Sequence, residues 1–144
     1  MKFLQFSLLA ATLAFGVVSC GNDEDTTGPV IEISNPTPGQ EFKYGEVMSL
    51  NLSLSDDAGV LKFQYEFRPA NVDGNVYIGK KEYFFDTYYT YLEDVIRINI
   101  PERIDATTLY DNSDYVLRVT AIDNYNNLSY KDVNIRIVNP VDED

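Results

Sequence analysis

The alternation of apolar and polar residues from Pro29 onward limits the fold of this chain more than any other feature of its sequence. Successive side chains of a β-strand point to opposite faces, so a period of two predicts strands that bury one face. The pattern occupies residues 31–33, 48–54, 61–67, 96–100, 115–121 and 133–137, and no long segment has a helical period. About seven short strands of this kind predict an all-β fold in which two antiparallel sheets pack as a sandwich.

Residues that favour turns separate the predicted strands. Clusters of Pro, Gly, Asp and Asn lie at 36–39, 56–59, 71–75, 111–114 and 124–127. Strands and turns together fill one domain over residues 29–139, which is long enough to enclose a hydrophobic core of its own. We expect residues 140–144, which end in Asp142-Glu143-Asp144, to form a solvated acidic tail.

The first nineteen residues have the features of an export signal. Lys2 precedes an uncharged, mostly apolar run over residues 3–18, which is shorter than the roughly 20 residues that span a bilayer. The run ends in Val17-Val18-Ser19-Cys20-Gly21, which resembles the lipobox of bacterial lipoproteins, although Leu is commoner than Val at the third position before the Cys. The resemblance implies a lipoprotein signal peptide over residues 1–19 and a membrane anchor of acyl chains on Cys20. An ordinary cleaved signal and an uncleaved anchor are the alternatives.

Residues 20–28 form a polar, acidic segment without apolar periodicity, which predicts a solvated tether. The formal charge of the chain is -12, and loss of residues 1–19, which hold one Lys and no acidic residue, changes it to -13. The acidic residues directly behind Cys20 resemble the surface-export signal of Bacteroides-type lipoproteins. This resemblance implies a lipid-anchored protein on the outward face of the outer membrane. Acidic residues are also common in ordinary linkers, which leaves the leaflet open.

Three segments resemble those of a known group of domains. They are Pro29-Val30-Ile31-Glu32-Ile33 with Asn35-Pro36, Ser55-Asp56-Asp57-Ala58-Gly59, and residues 115–123 followed by Asn126-Asn127. They resemble bacterial immunoglobulin-like domains, and more narrowly Bacteroides-type lipoproteins with one such domain, a family of unknown function that is sometimes labelled as adhesins. Residues 111–115 are similar to a tyrosine corner, which implies a structural Tyr115. Leu117 stands where antibody domains have a core Cys, so the resemblance implies an immunoglobulin-like sandwich without a disulfide.

The composition argues against several classes of function. With no His and one Cys, the chain cannot build a Ser-His or Cys-His catalytic pair, or a His/Cys zinc site, from its own side chains. The excess of 23 acidic over 11 basic residues repels phosphate backbones, which argues against nucleic acid as a partner. No pair of carboxylates stands out as the acid and base of a glycosidase. We therefore predict no enzymatic activity and no required cofactor.

Acidic and amide side chains are expected to gather at one end of the sandwich. In an immunoglobulin-like topology, the start of the first strand, the B–C turn and the F–G turn meet at one pole, where the tether also arrives. The candidate ligands at this pole are Asp25, Asp56, Asp57, Asp123, Asn124 and Asn126. Because Ca²⁺ prefers oxygen ligands, these residues form a candidate calcium site. Turn chemistry alone is the alternative, since Asp and Asn side chains commonly bond the backbone two residues on.

Residues 83–91 hold six aromatic side chains without a simple period. Because tyrosines often build recognition surfaces, Tyr83, Tyr88, Tyr89 and Tyr91 are candidate binding residues for a glycan, a peptide or an envelope protein. A structural role for this segment, with Phe84 and Phe85 in the core, is the alternative. The sequence thus favours a lipid-anchored, non-catalytic binding or adhesion module. The second hypothesis is a structural accessory subunit of an outer-membrane assembly, stiffened by calcium.

Overall fold

The computed structural model describes residues 25–70, 79–100 and 113–138. These ranges contain the strands β1 (Val30–Asn35), β2 (Glu41–Lys43), β3 (Val47–Pro69), β4 (Gly79–Asn99), β5 (Ser113–Asp123) and β6 (Leu128–Val138). No helix occurs within them, so the all-β prediction is confirmed, and nothing in these ranges is a helix of the length and apolarity needed to cross a bilayer. The predicted signal peptide, most of the tether and the acidic tail lie outside the described residues.

Two layers of strands form the fold, and β3 and β4 each run through both. In the first layer, β1 and the second half of β4 flank the first half of β3, with Ile31 opposite Leu54 and Leu50 opposite Ile96. In the second layer, the first half of β4, the second half of β3, β5, β6 and β2 lie side by side. These pairings are antiparallel except that of β2 with β6. The fold is therefore the immunoglobulin-like two-sheet sandwich that the sequence predicts.

The predicted turn at residues 56–59 is a kink inside the continuous strand β3. The register of β3 against β4 shifts after Ser55. Asp56 Oδ1 accepts hydrogen bonds from the backbone N–H groups of Ala58 and Gly59 at 2.9 and 3.0 Å. Gly59 has a φ of 91°, which residues with a side chain rarely adopt. Because β3 continues through this kink, the described ranges hold six long and short strands where the sequence predicted about seven short ones.

The hydrophobic core lies between the two layers and takes the inward-facing residue of each alternating pair. Its fully buried members include Met48, Leu50, Leu54, Val60, Leu117, Val119 and Ile137. Tyr115 is also fully buried, and its ring stacks on that of Phe67 with centroids 5.1 Å apart. Burial of one large apolar side chain contributes about 1.5–3 kcal/mol. The alternation that predicts the strands is therefore also the main source of their stability.

Candidate functional site

Three of the predicted ligands meet at one pole of the sandwich and form what we call the carboxylate cluster: Asp25, Asp56 and Asp123. One carboxylate oxygen of each lies within 4.8 Å of those of the other two. Asp25 precedes β1, Asp56 begins the kink of β3, and Asp123 ends β5. The segment before β1, the kink of β3 and the β5–β6 turn therefore meet at one pole, as the immunoglobulin-like topology predicts.

Asp123 is the most constrained member of the carboxylate cluster. It is fully buried, and its Oδ1 accepts hydrogen bonds from the backbone N–H groups of Tyr125 and Asn127, both at 2.8 Å. Its Oδ2 accepts a third from the Asn127 side-chain amide at 2.8 Å, and the same amide donates to the backbone carbonyl of Asp25 at 2.8 Å. Asp123 and Asn127 thus join the β5–β6 turn to the segment that precedes β1.

The three carboxylates differ in their electrostatic surroundings. Burial raises the pKa of Asp56, and the negative charges of Asp123 and Asp25 raise it further, against the hydrogen bonds from Ala58 and Gly59. The backbone N–H and the hydroxyl of Thr27 lower the pKa of Asp25. The stability that Asp56 contributes is therefore full below its unfolded pKa and is lost as the pH rises through its folded pKa. Ionised Asp56 is repelled by its neighbours, and a cation between them would offset this repulsion.

Of the other predicted ligands, Asp57 is not one of the three carboxylates of the cluster although it lines the same groove as Asp25 and Asp56, and Asn124 and Asn126 hold positions in the β5–β6 turn. Asp57 is exposed, and Asn124 donates its backbone N–H to the Gly59 carbonyl at 3.0 Å. Asn126 has a φ of 67°, which is the left-handed turn conformation that Asn tolerates better than most residues. The sequence analysis did not identify Asn127, which holds the Asp123 carboxylate in place through two hydrogen bonds. Its position four residues after Asp123 in a predicted turn was the available signal.

A second candidate surface lies on β4, and we call Phe84, Tyr88, Tyr89 and Tyr91 the β4 aromatic surface. These side chains are 66%, 54%, 43% and 59% exposed. Within the described residues, β4 pairs with β3 along one side and with no strand along the other. The rings therefore stand beside a sheet edge that no described strand covers.

Tyr83 and Phe85 lie on the opposite face of β4 from Phe84. The ring of Tyr83 stacks on Phe63 with centroids 4.7 Å apart, and Phe85 lies 5.8 Å from the same ring. Both are partly buried against the core. The alternative that puts Phe84 in the core is wrong, because alternation along β4 turns it outward beside Lys62, whose ammonium lies 5.3 Å from the ring centroid. Of the four candidate binding tyrosines, Tyr83 thus packs against the core, while Tyr89, although 43% exposed, meets the ring of Phe85 edge-on with centroids 5.3 Å apart.

Leu128 and Tyr130 extend the exposed apolar area across the outer face of the second layer. They are 58% and 60% exposed, and the Arg118 guanidinium lies 4.4 Å from the ring centroid of Tyr130. Arg118 is fixed there by two hydrogen bonds of 2.7 Å to Asp132. The sequence analysis did not identify Leu128 and Tyr130 as exposed apolar residues, although their alternation with the buried Val133 indicates an outward position.

Comparisons with solved structures show likeness in fold. The periplasmic chaperone SfaE has a TM-score of 0.53 and 12% identity, with 78% of this chain and 58% of that chain covered. The fibronectin(III)-like modules of Clostridium thermocellum CbhA have a TM-score of 0.47 and 15% identity, with 78% and 98% covered. Murine CRIg has a TM-score of 0.42 and 11% identity, again with 78% and 98% covered. A search of curated proteins found no match. A family model described as a domain of unknown function, DUF4625, matches residues 18–138, and the chain therefore belongs to that family.

Proposed function

We propose that this chain is a lipid-anchored, non-catalytic recognition module of the outer-membrane surface, and that it binds a glycan, a peptide or an envelope protein through the β4 aromatic surface. The observation that supports this proposal is the exposure of four aromatic side chains beside a free sheet edge. Tyr and Phe offer large contact areas, and their few rotatable bonds keep the entropic cost of binding small.

The anchor in this proposal is Cys20, which precedes the described residues. Asp25 is five residue steps from Cys20, and at about 3.4 Å per step the chain between them reaches at most about 17 Å. Thr90 of β4 lines the same groove as Asp25 and Asp56, so the neighbouring Tyr89 and Tyr91 belong to the same end of the sandwich. A lipid on Cys20 would hold the β4 aromatic surface close to the membrane. This favours a partner at the membrane surface, such as an envelope protein, over a distant ligand.

Replacing Tyr88, Tyr89 and Tyr91 together with Ser is expected to reduce binding at least about tenfold while costing about 1 kcal/mol or less of stability, since exposed substitutions have small effects. Binding is measured on glycan arrays and by capture from solubilised envelope, and stability by thermal melting. The matched control replaces Tyr125 with Ser, because this side chain is 53% exposed and lies in the β5–β6 turn, off β4. Unchanged binding, or severe loss of stability, would remove the tyrosines as a binding surface.

The lipid anchor is tested by Cys20→Ser in cells that express the chain. This variant should leave the membrane fraction, and its retention there would contradict the anchor.

The carboxylate cluster favours a second candidate, a structural accessory subunit of an outer-membrane assembly stiffened by calcium. Three carboxylate oxygens within 4.8 Å match the ligand type of Ca²⁺, and water or backbone carbonyls would complete its six to eight ligands. Binding to the folded chain alone stabilises it by about 2.7 kcal/mol at a hundredfold excess over Kd. Millimolar Ca²⁺ is therefore expected to raise the melting temperature by several degrees.

Asp56→Asn is the diagnostic variant for calcium, because it keeps an oxygen for the N–H groups of Ala58 and Gly59 but removes one charge. It should melt within about a degree or two of the unsubstituted chain without calcium, since repulsion between partly exposed charges is weak. It should lose most of the calcium response, whereas the exposed Asp57→Asn should keep it. The absence of any shift of the unsubstituted chain with Ca²⁺ would remove this candidate.

A further inference from the structure

We propose that two copies of this chain pair through the free edge of β4, antiparallel, with Thr87 of one copy opposite Thr87 of the other. The proposal rests on the proposed function, because it names the partner of the β4 surface as a second copy on the same membrane. It is carried by the length of the open edge, by the exposed apolar residues along it and by the distribution of charge on the strand.

The open edge of β4 is much longer than the other sheet edges. β4 has 21 residues, whereas the edge strands β1 and β2 have 6 and 3. Along the side of β4 away from β3, no described strand takes up the backbone N–H and C=O groups. Proteins normally protect such edges by keeping them short or charged. The edge of β4 is long, and it carries exposed charged residues together with the β4 aromatic surface and Val95, which is 59% exposed. A long open edge can add a further strand, and its charges then decide which partner and register fit.

The charges of β4 are complementary to those of a second, antiparallel β4. With Thr87 opposite Thr87, Lys80 faces Asp94 of the second copy, and Lys81 faces Glu93. Twofold symmetry repeats both pairs, which gives two ion pairs on each side of the axis. Shifting the strands by one residue either way leaves one such pair. Opposite charges directly across an antiparallel ladder stabilise it, whereas like charges destabilise it.

Thr87 is exposed and lies in the irregular segment of β4 between its two regular halves. Phe84 lies opposite Lys62 and Tyr89 opposite Val60, so five steps along β4 correspond to two along β3. The extra residues form a bulge, which displaces this part of β4 from the regular ladder with β3. The two regular halves of β4 on either side would supply the pairing segments.

The proposed dimer is compatible with two anchors in one membrane. Thr90 lines a groove with Asp25, so the start of the described chain lies near the proposed axis. A twofold rotation preserves position along its axis, so both chain starts lie at the same height and both tethers can enter one bilayer. Confinement of both copies to one surface raises their effective concentration.

The first test is charge reversal, measured by sedimentation of the full chain in mild detergent over a range of concentrations. Lys80→Glu with Lys81→Glu should weaken dimerisation at least about tenfold, because four attractive pairs become repulsive. Adding Glu93→Lys and Asp94→Lys to that variant should restore it. The matched control, Lys43→Glu with Lys131→Glu, makes the same change in net charge at exposed positions off β4 and should leave dimerisation unchanged. The proposal is overturned when the charge reversal leaves dimerisation unchanged, or when the four substitutions together do not restore it.

The second test is cross-linking across the axis. Directly opposite residues of an antiparallel pair have Cα atoms about 4.5–5.5 Å apart, which suits a disulfide. Thr87→Cys should form a covalent dimer on mild oxidation. Thr90→Cys, on the same strand but off the axis, should stay at the background set by Cys20 in the unsubstituted chain. Equal cross-linking of the two variants overturns the register.

The outcomes separate this proposal from the proposed function. A chain that sediments as a monomer at every concentration, yet loses glycan or envelope binding when Tyr88, Tyr89 and Tyr91 become Ser, overturns the dimer and leaves the recognition module standing. A dimer that follows the charge reversals supports this inference even when arrays and envelope extracts yield no other ligand.

Discussion

Tyr115→Ala is expected to lower the free energy of unfolding by about 3–5 kcal/mol, the range found when large aromatic side chains are removed from a core. Tyr115 is fully buried in the middle of the second layer, and its ring stacks on Phe67 with planes 17° apart. Leu117 and Val119 follow it on the same face of β5 and are also fully buried, so the surroundings cannot collapse into the space. Since small domains are stable by about 5–15 kcal/mol, this loss is a large part of the total.

Urea denaturation measures this effect, and the matched control is Tyr125→Ala. Tyr125 is 53% exposed in the β5–β6 turn, so its replacement should change the free energy of unfolding by about 0.5 kcal/mol or less. Tyr115→Phe keeps the ring and isolates the contribution of the hydroxyl, for which a net hydrogen bond predicts about 1 kcal/mol. Equal losses for the two alanine variants would mean that β5 does not lie in the core as described.

The two layers of the fold were predictable because the core residues stand at alternate positions of the sequence. Leu117 and Val119, or Met48 and Leu50, stand at every second position and are all fully buried. The continuity of β3 and β4 through both layers was harder to predict from the sequence. Gly59 and its neighbours predict a turn, yet tertiary pairing on both sides keeps the chain in strand conformation through the kink. Local preference is weaker than pairing with neighbouring strands at such positions.

The aromatic segment shows where alternation fails as a guide. The alternative interpretation of this segment puts Phe84 in the core, but Tyr83 and Phe85 on either side of it take the inward positions. In a run of consecutive aromatic residues, hydrophobicity does not distinguish the two faces of a strand. Only the pairing register, with Phe84 opposite Lys62, assigns the faces.

The carboxylate cluster was predictable to the extent that topology alone determines it. Asp25, Asp56 and Asp123 come from three distant parts of the sequence, and an immunoglobulin-like connection order brings them to one pole. The separation of these three from Asp57 depends on which way each side chain points within its turn. The spacing of Asp123 and Asn127 indicates a turn, but the hydrogen bonds that orient the Asp123 carboxylate are visible only in the structure.

Asp123→Ala is expected to lower the free energy of unfolding by about 3 kcal/mol, because three donors lose a charged acceptor in a buried position. The donors are the backbone N–H groups of Tyr125 and Asn127 and the side-chain amide of Asn127. One opposing effect is the relief of repulsion with Asp56, whose pKa is raised partly by the charge of Asp123. Asp56 is only partly buried, so solvent screens its repulsion with the buried Asp123, and we expect this repulsion to be smaller than the loss of three hydrogen bonds. The lost hydrogen bonds therefore dominate.

Asp123→Asn separates the two effects, and denaturation at neutral pH measures both variants. Asn keeps one oxygen acceptor and the shape of the side chain but removes the charge, so it should lose clearly less stability than Ala. The control is Asp57→Ala, an exposed carboxylate of the same pole, which should change stability by about 0.5 kcal/mol or less. If Asp123→Ala were as stable as the unsubstituted chain, repulsion within the carboxylate cluster would have to match the hydrogen bonds in size. Repulsion between the carboxylates would then destabilise the pole, and a cation bound there would stabilise the folded chain more than a weak, screened repulsion implies.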